Sequence, residues 1–379
     1  MPVDVPFVVD IDTDIPPQLI ELCSQVLTFP STHSCEVVQV QGGITNLLFR
    51  VTPEGLDPVL VRIFGKAGDL ACDRQSENAI FLELAASGFG PALWGLFGNG
   101  RIEGWLVGRR PMEAVEMLQT EPVDFVGKTA VRLAEMHRLS PDAAGDSSLP
   151  RVWEQLAEWI VHAGMVRFPP GSEKAALLED LHLQEIFAEA RNLEATIPSS
   201  RNEQGQQLID SSSGVLARAR EVLYEVAFCH NDLLSGNMMY SQEKDDLVFI
   251  DFEYASYNCV GFDIANHFNA VPESCLILDN TFDAKQYYPS RKVRHHWLRS
   301  YLAARGVDGV DQDFLDACSQ VILEFSLLAE IRWVIWAVLN AGHAAVDFDY
   351  LNYAKLRYCD GFLVYKEWWA SGRFARSGG

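Results

Sequence analysis

Basic residues are scarce in this chain. Of its 379 residues, 30 are Lys or Arg against 52 Asp or Glu, a formal net charge of −22 at pH 7, and the sequence pI is near 4.7. That shortage argues against nucleic acid or an anionic membrane surface as the main ligand, because a phosphate backbone is held by a basic footprint. It leaves room for a small ligand, a cation included, although an acidic surface also serves solubility alone. Paired cysteines are missing too. Cys23, Cys35, Cys72, Cys229, Cys259, Cys275, Cys318 and Cys359 are scattered with no Cys-x-x-Cys pair and no metal-ligand spacing, which predicts reduced, mostly packed thiols. No run approaches the roughly 18 apolar residues of a membrane span. Met1-Pro2-Val3-Asp4-Val5-Pro6 has neither a basic n-region nor an apolar h-region, so a cytoplasmic protein without stable membrane insertion is expected. Internal repeats and low-complexity linkers are also lacking.

What is present is enough apolar residue, 48%, to fill one large or two modest cores. Leu19 to Leu27 reads as a short helix. Strand patterns follow at Glu36–Val40, Leu47–Val51 and Val59–Phe64, broken by turn residues such as Pro53-Glu54-Gly55, which predicts an antiparallel meander. A helical segment over Asp73–Ala86 and strand-like runs at Leu93–Phe97 and Ile102–Val107 complete this part; the last run is a candidate hinge. From Val123 helical periodicity dominates, with an amphipathic helix over Phe125–His137, where His137 reads as a packed helix-end residue. The polar stretch 199–214 reads as an exposed loop. Strands first and helices later predict an α+β chain: a small antiparallel β-rich lobe over 1–109 and a larger helical lobe over 110–379, sharing one cleft.

The chemistry concentrates in His230-Asn231-Asp232-Leu233-Leu234-Ser235-Gly236-Asn237 and Ile250-Asp251-Phe252-Glu253-Tyr254. Asp232 precedes Asn237 by five positions, the spacing of a kinase catalytic loop. Asp232 would accept or orient a hydroxyl proton, Asn237 would hold Mg²⁺ by its amide oxygen, and Asp251, closing a strand-like run, would add the charged metal ligand. A His-x-Asp fragment alone also fits a buried turn with a capping Asp; the two fragments in order favour phosphoryl transfer. Gln41-Gly42-Gly43-Ile44-Thr45-Asn46 lies between strands and suits phosphate oxygens through Gly43, Thr45 and Asn46, although alone it is an ordinary hairpin turn. Arg62 sits inside a strand, where an unpaired guanidinium is costly, and Glu77 on the next helix is the expected partner; the pair would orient phosphates or serve as a structural salt bridge.

With these motifs the chain resembles the choline/ethanolamine kinase family. The likeness runs from about Val37 to Tyr365 and includes Val59–Gly65, Cys229–Asn237, Ile250–Tyr254, Tyr257-Asn258 and Gly261–Phe268. The resemblance implies a protein-kinase-like bilobal fold and ATP with Mg²⁺ as cofactors. It implies phosphorylation of a small amino alcohol, with Asp232 as base, Asn237 and Asp251 as metal ligands, and Arg62 with Glu77 orienting the nucleotide. Asp263 resembles a family position that braces the catalytic loop. Ile44, Thr45 and Asn269 resemble the ethanolamine-kinase members, which make phosphoethanolamine for phosphatidylethanolamine synthesis by the CDP-ethanolamine route.

The family usually places a Glu near the substrate where this chain has Ala270, so Glu273 substitutes or the cation is held otherwise. Trp333 and Trp336 share a helix face, as do Tyr350 and Tyr353 if helical. Such a stripe fits a core, and with an amino alcohol implied it also fits a cation–π wall. Two rivals stay open: another small-molecule kinase (choline, dual-specificity or aminoglycoside-type), and a catalytically silent nucleotide or amine binder. The chain is expected to act as a monomer or homodimer.

Overall fold

Alternation of apolar and polar residues pairs the strands of the N-terminal half in a register that sends one face to a common core. The computed structural model describes residues 2–30, 32, 34–40, 46–65, 74–197, 214–279, 282–343, 348–372 and 374, the side chains of 275–279 excepted. It divides into two compact units: residues to Arg109 with 241–243 and Phe348, and most of the chain from Arg110 onward.

The first unit contains β1 (Val3–Val5), α1 (Ile15–Leu27), β2 (Cys35–Val40), β3 (Asn46–Pro53), β4 (Val59–Phe64), α2 (Arg74–Ala86), β5 (Leu93–Phe97) and β6 (Gly100–Gly104). The described sheet has the order β1-β5-β6-β4-β3-β2. Its meander is antiparallel, but β1 lies parallel to β5, with Val3 opposite Gly95. The acidic leader hid this strand, which is only three residues long. Val51, Val61, Ile63 and Ile102 from the sheet pack with Leu19, Leu22 and Cys23 of α1. Prolines at the start of α1 cost nothing, since the first helical N–H groups lack partners anyway, and Thr28 ends it in the left-handed region. The expected strand Ile102–Val107 stops earlier: the Gly104 N–H turns to the Ala92 carbonyl at 2.7 Å, and Val107 folds back on Trp105.

The second unit carries β7 (Arg110–Pro111), α3 (Phe125–Met136), α4 (Val152–Ala163), α5 (Glu173–Asp180), α6 (Leu183–Thr196), α7 (Val215–Leu223), β8 (Val226–Cys229), β9 (Met238–Ser241), β10 (Asp246–Phe249), β11 (Ser256–Cys259), α8 (Val260–Asp279), α9 (Ala284–Tyr287), α10 (Arg291–Ala304), α11 (Gln312–His343), α12 (Tyr350–Leu356), a π-helical turn (Arg357–Phe362) and α13 (Leu363–Ser371). Its core is α11, buried from Phe314 to Asn340 with few breaks. A helix that is apolar on all sides must be enclosed. It interrupts its apolar run with Glu324, Glu330 and Arg332, and among the described residues no helix is long and apolar enough to cross a membrane. Gly261 lets α8 approach α11 closely: a Cβ there would stand 2.5 Å from the Phe325 ring. Two short ribbons, β8 with β11 and β7-β9-β10, supply the ends from which the loops at 230–237 and 250–255 emerge.

Candidate active site

The loop after β8 is fixed by one carboxylate. Asp263, in the first turn of α8, accepts the His230 N–H on Oδ2 at 2.7 Å and the Asn231 N–H on Oδ1 at 2.8 Å. His137 Nε2 lies 3.1 Å from the same Oδ2, and its Nδ1 is 2.7 Å from the Tyr301 hydroxyl. His137 is therefore more than a packed helix end, because it steadies the residue that steadies the loop. Burial alone would raise the Asp263 carboxyl, but the hydrogen bond and charge of His137 and the His230 amide outweigh it, holding it below the usual range.

Asn231 occupies the left-handed region, φ 63°, where Asn is among the few tolerated side chains. Its amide donates to Tyr254 O at 2.9 Å and accepts from Asn258 Nδ2 at 2.9 Å. This ties the first loop to the second. His230 Nε2 reaches Ile250 O at 2.9 Å, and the Ile250 N–H donates to Asn237 O at 3.0 Å.

Between these ties stand the three residues that the sequence singles out. Asn237 Nδ2 donates to the Asp232 carbonyl at 2.8 Å and to its Oδ2 at 3.3 Å. With the nitrogen so engaged, the amide oxygen is turned the other way. Asp251, half-buried, has φ 64°, an unfavourable conformation of the kind stored at functional sites. Hard oxygen donors from Asn237 and Asp251 suit a magnesium-like cation. Asp232 keeps part of its surface open, yet its carboxyl lies well above the ordinary value, because burial and then the charges of Glu273, Asp251 and Glu253 raise it while Arg332 opposes them.

One face of α8 carries Asp263, Asn266, His267, Ala270, Glu273 and Ser274 at helical spacing. Ala270 is buried, and Glu273 is one turn further along the same face. Glu273 is held rigidly: Oε1 accepts from the Tyr353 hydroxyl at 2.6 Å, and Oε2 pairs with Arg357 at 2.9 Å. Arg357, fully buried, also reaches Glu330 at 2.8 and 3.1 Å. Trp333 and Trp336 lie edge to face at 5.4 Å on α11, and Trp336 meets Tyr350 at 5.7 Å and Tyr353 at 6.3 Å from α12. All four expected rings thus form one cluster, adjoining Glu273 through Tyr353.

His267 yields a pH-dependent prediction. Its Nδ1 is 3.0 Å from Leu233 O, so that nitrogen carries the proton of a neutral ring, and burial lowers its pKa to about 4. That is below the roughly 6.5 of an unfolded imidazole, so its contribution to stability is complete above pH ~6.5 and declines as pH falls towards 4. Urea midpoints between pH 7 and 4 should show His267→Gln losing up to about 3 kcal/mol less than the parent chain; superimposable curves would contradict it.

In the first unit, β4 and β6 bring Arg62 directly opposite Arg101, an unfavourable pairing of like charges. Glu103 resolves it by accepting from Arg62 Nε at 2.9 Å and Arg101 Nε at 2.7 Å, and Arg101 Nη1 pairs with Glu77 at 2.6 Å. The expected Arg62–Glu77 pair is thus part of a larger network in which Glu103 meets Arg62, while Glu77 is paired with Arg101 and with Arg74 at 2.8 Å. Burial would raise Glu103, but Arg62 and Arg101 hold it below its usual value. The signal for the missed residues was present: Arg101 and Glu103, two apart, share one face of a strand otherwise flanked by apolar residues and glycine. Asn46 opens β3 and is buried; Gly43, Thr45 and the polar stretch 199–213 lie outside the described residues.

The sequence pattern of the family described as Choline/ethanolamine kinase matches residues 37–362. A probable ethanolamine kinase of Arabidopsis thaliana is 31% identical over 368 residues, covering 93% of this chain and 87% of that protein. A probable choline kinase 1 of the same plant is 29% identical, covering 85% of each. Among solved structures, an ethanolamine kinase of Plasmodium vivax superposes with a TM-score of 0.75 at 20% identity, over 96% of this chain and 93% of that one. A choline kinase of Cryptosporidium parvum gives 0.70 at 21%, over 93% and 96%. At such identities these two speak for the fold, a protein-kinase-like arrangement with a β-sheet lobe and a helical lobe. The long match at the sequence level carries the further conclusion that this chain belongs to the choline/ethanolamine kinase family.

Proposed function

We propose that this protein transfers the γ-phosphoryl group of ATP to the hydroxyl of ethanolamine, giving phosphoethanolamine for phospholipid synthesis. The observation that carries the reading is the placing of Glu273 on the α8 face that also anchors the catalytic loop, with its charge felt at Asp232. A primary ammonium brings three N–H donors that need acceptors once desolvated. Each Glu273 oxygen has one partner from Tyr353 or Arg357 and retains lone-pair capacity, so the carboxylate supports such a cation, one helical turn from Ala270.

Asp232 then faces the substrate hydroxyl. A carboxylate shifted upward is a stronger base than a free one, and its loop is held from both ends, which supports its role in accepting or orienting the proton. Asn237 and Asp251 are the residues that would hold Mg²⁺, which when bound neutralises charge on the phosphates. In the first unit the reading gives phosphate orientation to Arg62, held by Glu103, with Glu77 in the same network and Gly43, Thr45 and Asn46 as backbone and polar contacts. Trp333, Trp336, Tyr350 and Tyr353 wall the organic part of the substrate.

ADP release with Mg-ATP and ethanolamine or choline in parallel, with Asp232→Ala as control, tests this. A higher kcat/KM for ethanolamine, lost in the control, is expected. Equal or better use of choline would replace ethanolamine by choline or dual specificity, and nucleotide binding without turnover of either would favour a silent binder.

A further inference from the structure

The aromatic cluster already contains a cation. Arg332 lies on α11 beside Trp333 and is 1% exposed. Its guanidinium carbon stands 4.6 Å from the Trp333 ring centroid, 4.8 Å from that of Trp159 and 5.2 Å from that of Tyr254. Trp159, Tyr254, Trp333 and Trp336 continue edge to face at 6.4, 5.3 and 5.4 Å, so these rings belong to one ladder with Tyr350 and Tyr353. Arg332 Nε and Nη2 donate to a single neutral acceptor, Gln155 Oε1, at 3.0 and 2.8 Å. Nη1 is buried without a hydrogen-bond partner. Among the described residues no carboxylate pairs with it. By contrast Arg357, at the other end of the ladder, has Glu273 and Glu330.

A buried guanidinium with no carboxylate in contact, which feels Asp232 and Asp263 only through space, relies on the electron-rich ring faces around it. Faces engaged in this way are not free to solvate a second cation. The effect differs between substrates. A quaternary ammonium has no N–H and depends on ring faces, whereas a primary ammonium is held mainly by hydrogen-bond acceptors. The acceptor, Glu273, sits at the end of the ladder away from Arg332, joined to it through Tyr353.

We infer that Arg332 is a specificity-determining residue: it occupies the cation-binding capacity of Trp333 and Tyr254 and so turns the amine site against quaternary ammonium and toward primary amines. This inference rests on the amino-alcohol kinase reading above. It accounts for selectivity without a Glu at position 270, since discrimination comes from withholding ring faces rather than from adding a second carboxylate.

The test is kcat/KM along the series ethanolamine, N-methylethanolamine, N,N-dimethylethanolamine and choline for the parent enzyme, Arg332→Met and Arg332→Lys. In the parent enzyme the values should fall stepwise with methylation. Arg332→Met, which keeps the chain length and removes the charge, should raise the choline-to-ethanolamine ratio by roughly tenfold, and Arg332→Lys should leave it near the parent value. A ratio unmoved by Arg332→Met in an enzyme that still turns over ethanolamine overturns the inference and leaves the kinase reading intact. Absence of turnover of all four compounds by the parent enzyme overturns the kinase reading instead. A binding readout independent of turnover and of the variants' folding accompanies it: thermal shifts of the parent protein with methylammonium against tetramethylammonium. Greater stabilisation by methylammonium is expected, and greater stabilisation by tetramethylammonium would overturn the inference.

Discussion

Asp251→Asn should fold like the parent chain and lose at least about three powers of ten in kcat. A metal at a phosphoryl-transfer site supplies several kcal/mol of transition-state stabilisation, and each 1.4 kcal/mol is worth about tenfold. In the proposed assignment Asp251 is the charged member of the hard-oxygen pair with Asn237, so an amide in its place would weaken the metal site without changing its shape. The choice of Asn over Ala matters because Asp251 has φ 64°: Asn visits that conformation at least as readily as Asp, whereas Ala would add strain. Asp251→Ala should lose both activity and stability. Unfolding curves and kcat against magnesium concentration separate the two effects. Near-parental kcat in Asp251→Asn, with unchanged magnesium dependence, would remove Asp251 from the assignment.

Asp263→Ala should be the most destabilising single change near the site and should also slow the reaction. Its two carboxylate oxygens satisfy the backbone N–H groups of His230 and Asn231 at 2.7 and 2.8 Å and meet His137 at 3.1 Å. Deleting it strands two buried donors, each costing about 1–3 kcal/mol, and leaves the His137 ring with only the Tyr301 hydroxyl as hydrogen-bond partner. A loss of about 3–5 kcal/mol in urea unfolding is expected. The kinetic effect follows from geometry, since the loop carrying Asp232 loses its anchor and a displacement of about 1 Å can cost roughly a hundredfold. The decrease should appear in kcat more than in KM, because Glu273, the residue proposed to hold the ammonium, keeps its Tyr353 and Arg357 contacts. Asp263→Asn, which keeps one acceptor oxygen, should fall between. Parental stability and kcat in the alanine variant would mean that the loop holds itself.

What the sequence made legible follows from how local each signal was. Asp232, Asn237 and Asp251 stand in short segments directly after β8 and β10, so strand ends alone bring them into one loop cluster. Trp333 and Trp336, like Tyr350 and Tyr353, needed only helical spacing. Arg101 and Glu103 were missed because the partner of Arg62 is set by the register of β4 against β6, which places two arginines face to face and makes the shared carboxylate necessary. Arg357 and Glu330 were missed because Arg357, in the turn after α12, joins Glu273 of α8 to Glu330 of α11, positions far apart in the chain. Arg332 looked like any polar residue in a helix; only the burial of all sides of α11 makes it a cation among rings. The strand end at Gly104 and the parallel β1 were lost because a three-residue overrun and a three-residue strand lie below what periodicity resolves.

The central claim, phosphorylation of the ethanolamine hydroxyl, is tested most directly by identifying the product. Phosphorus NMR of a reaction containing Mg-ATP, ethanolamine and the purified protein should show a phosphomonoester resonance matching authentic phosphoethanolamine, growing as ADP forms and absent with Asp232→Ala. ATP consumption without that resonance, or a product carrying phosphorus on nitrogen, would contradict the account.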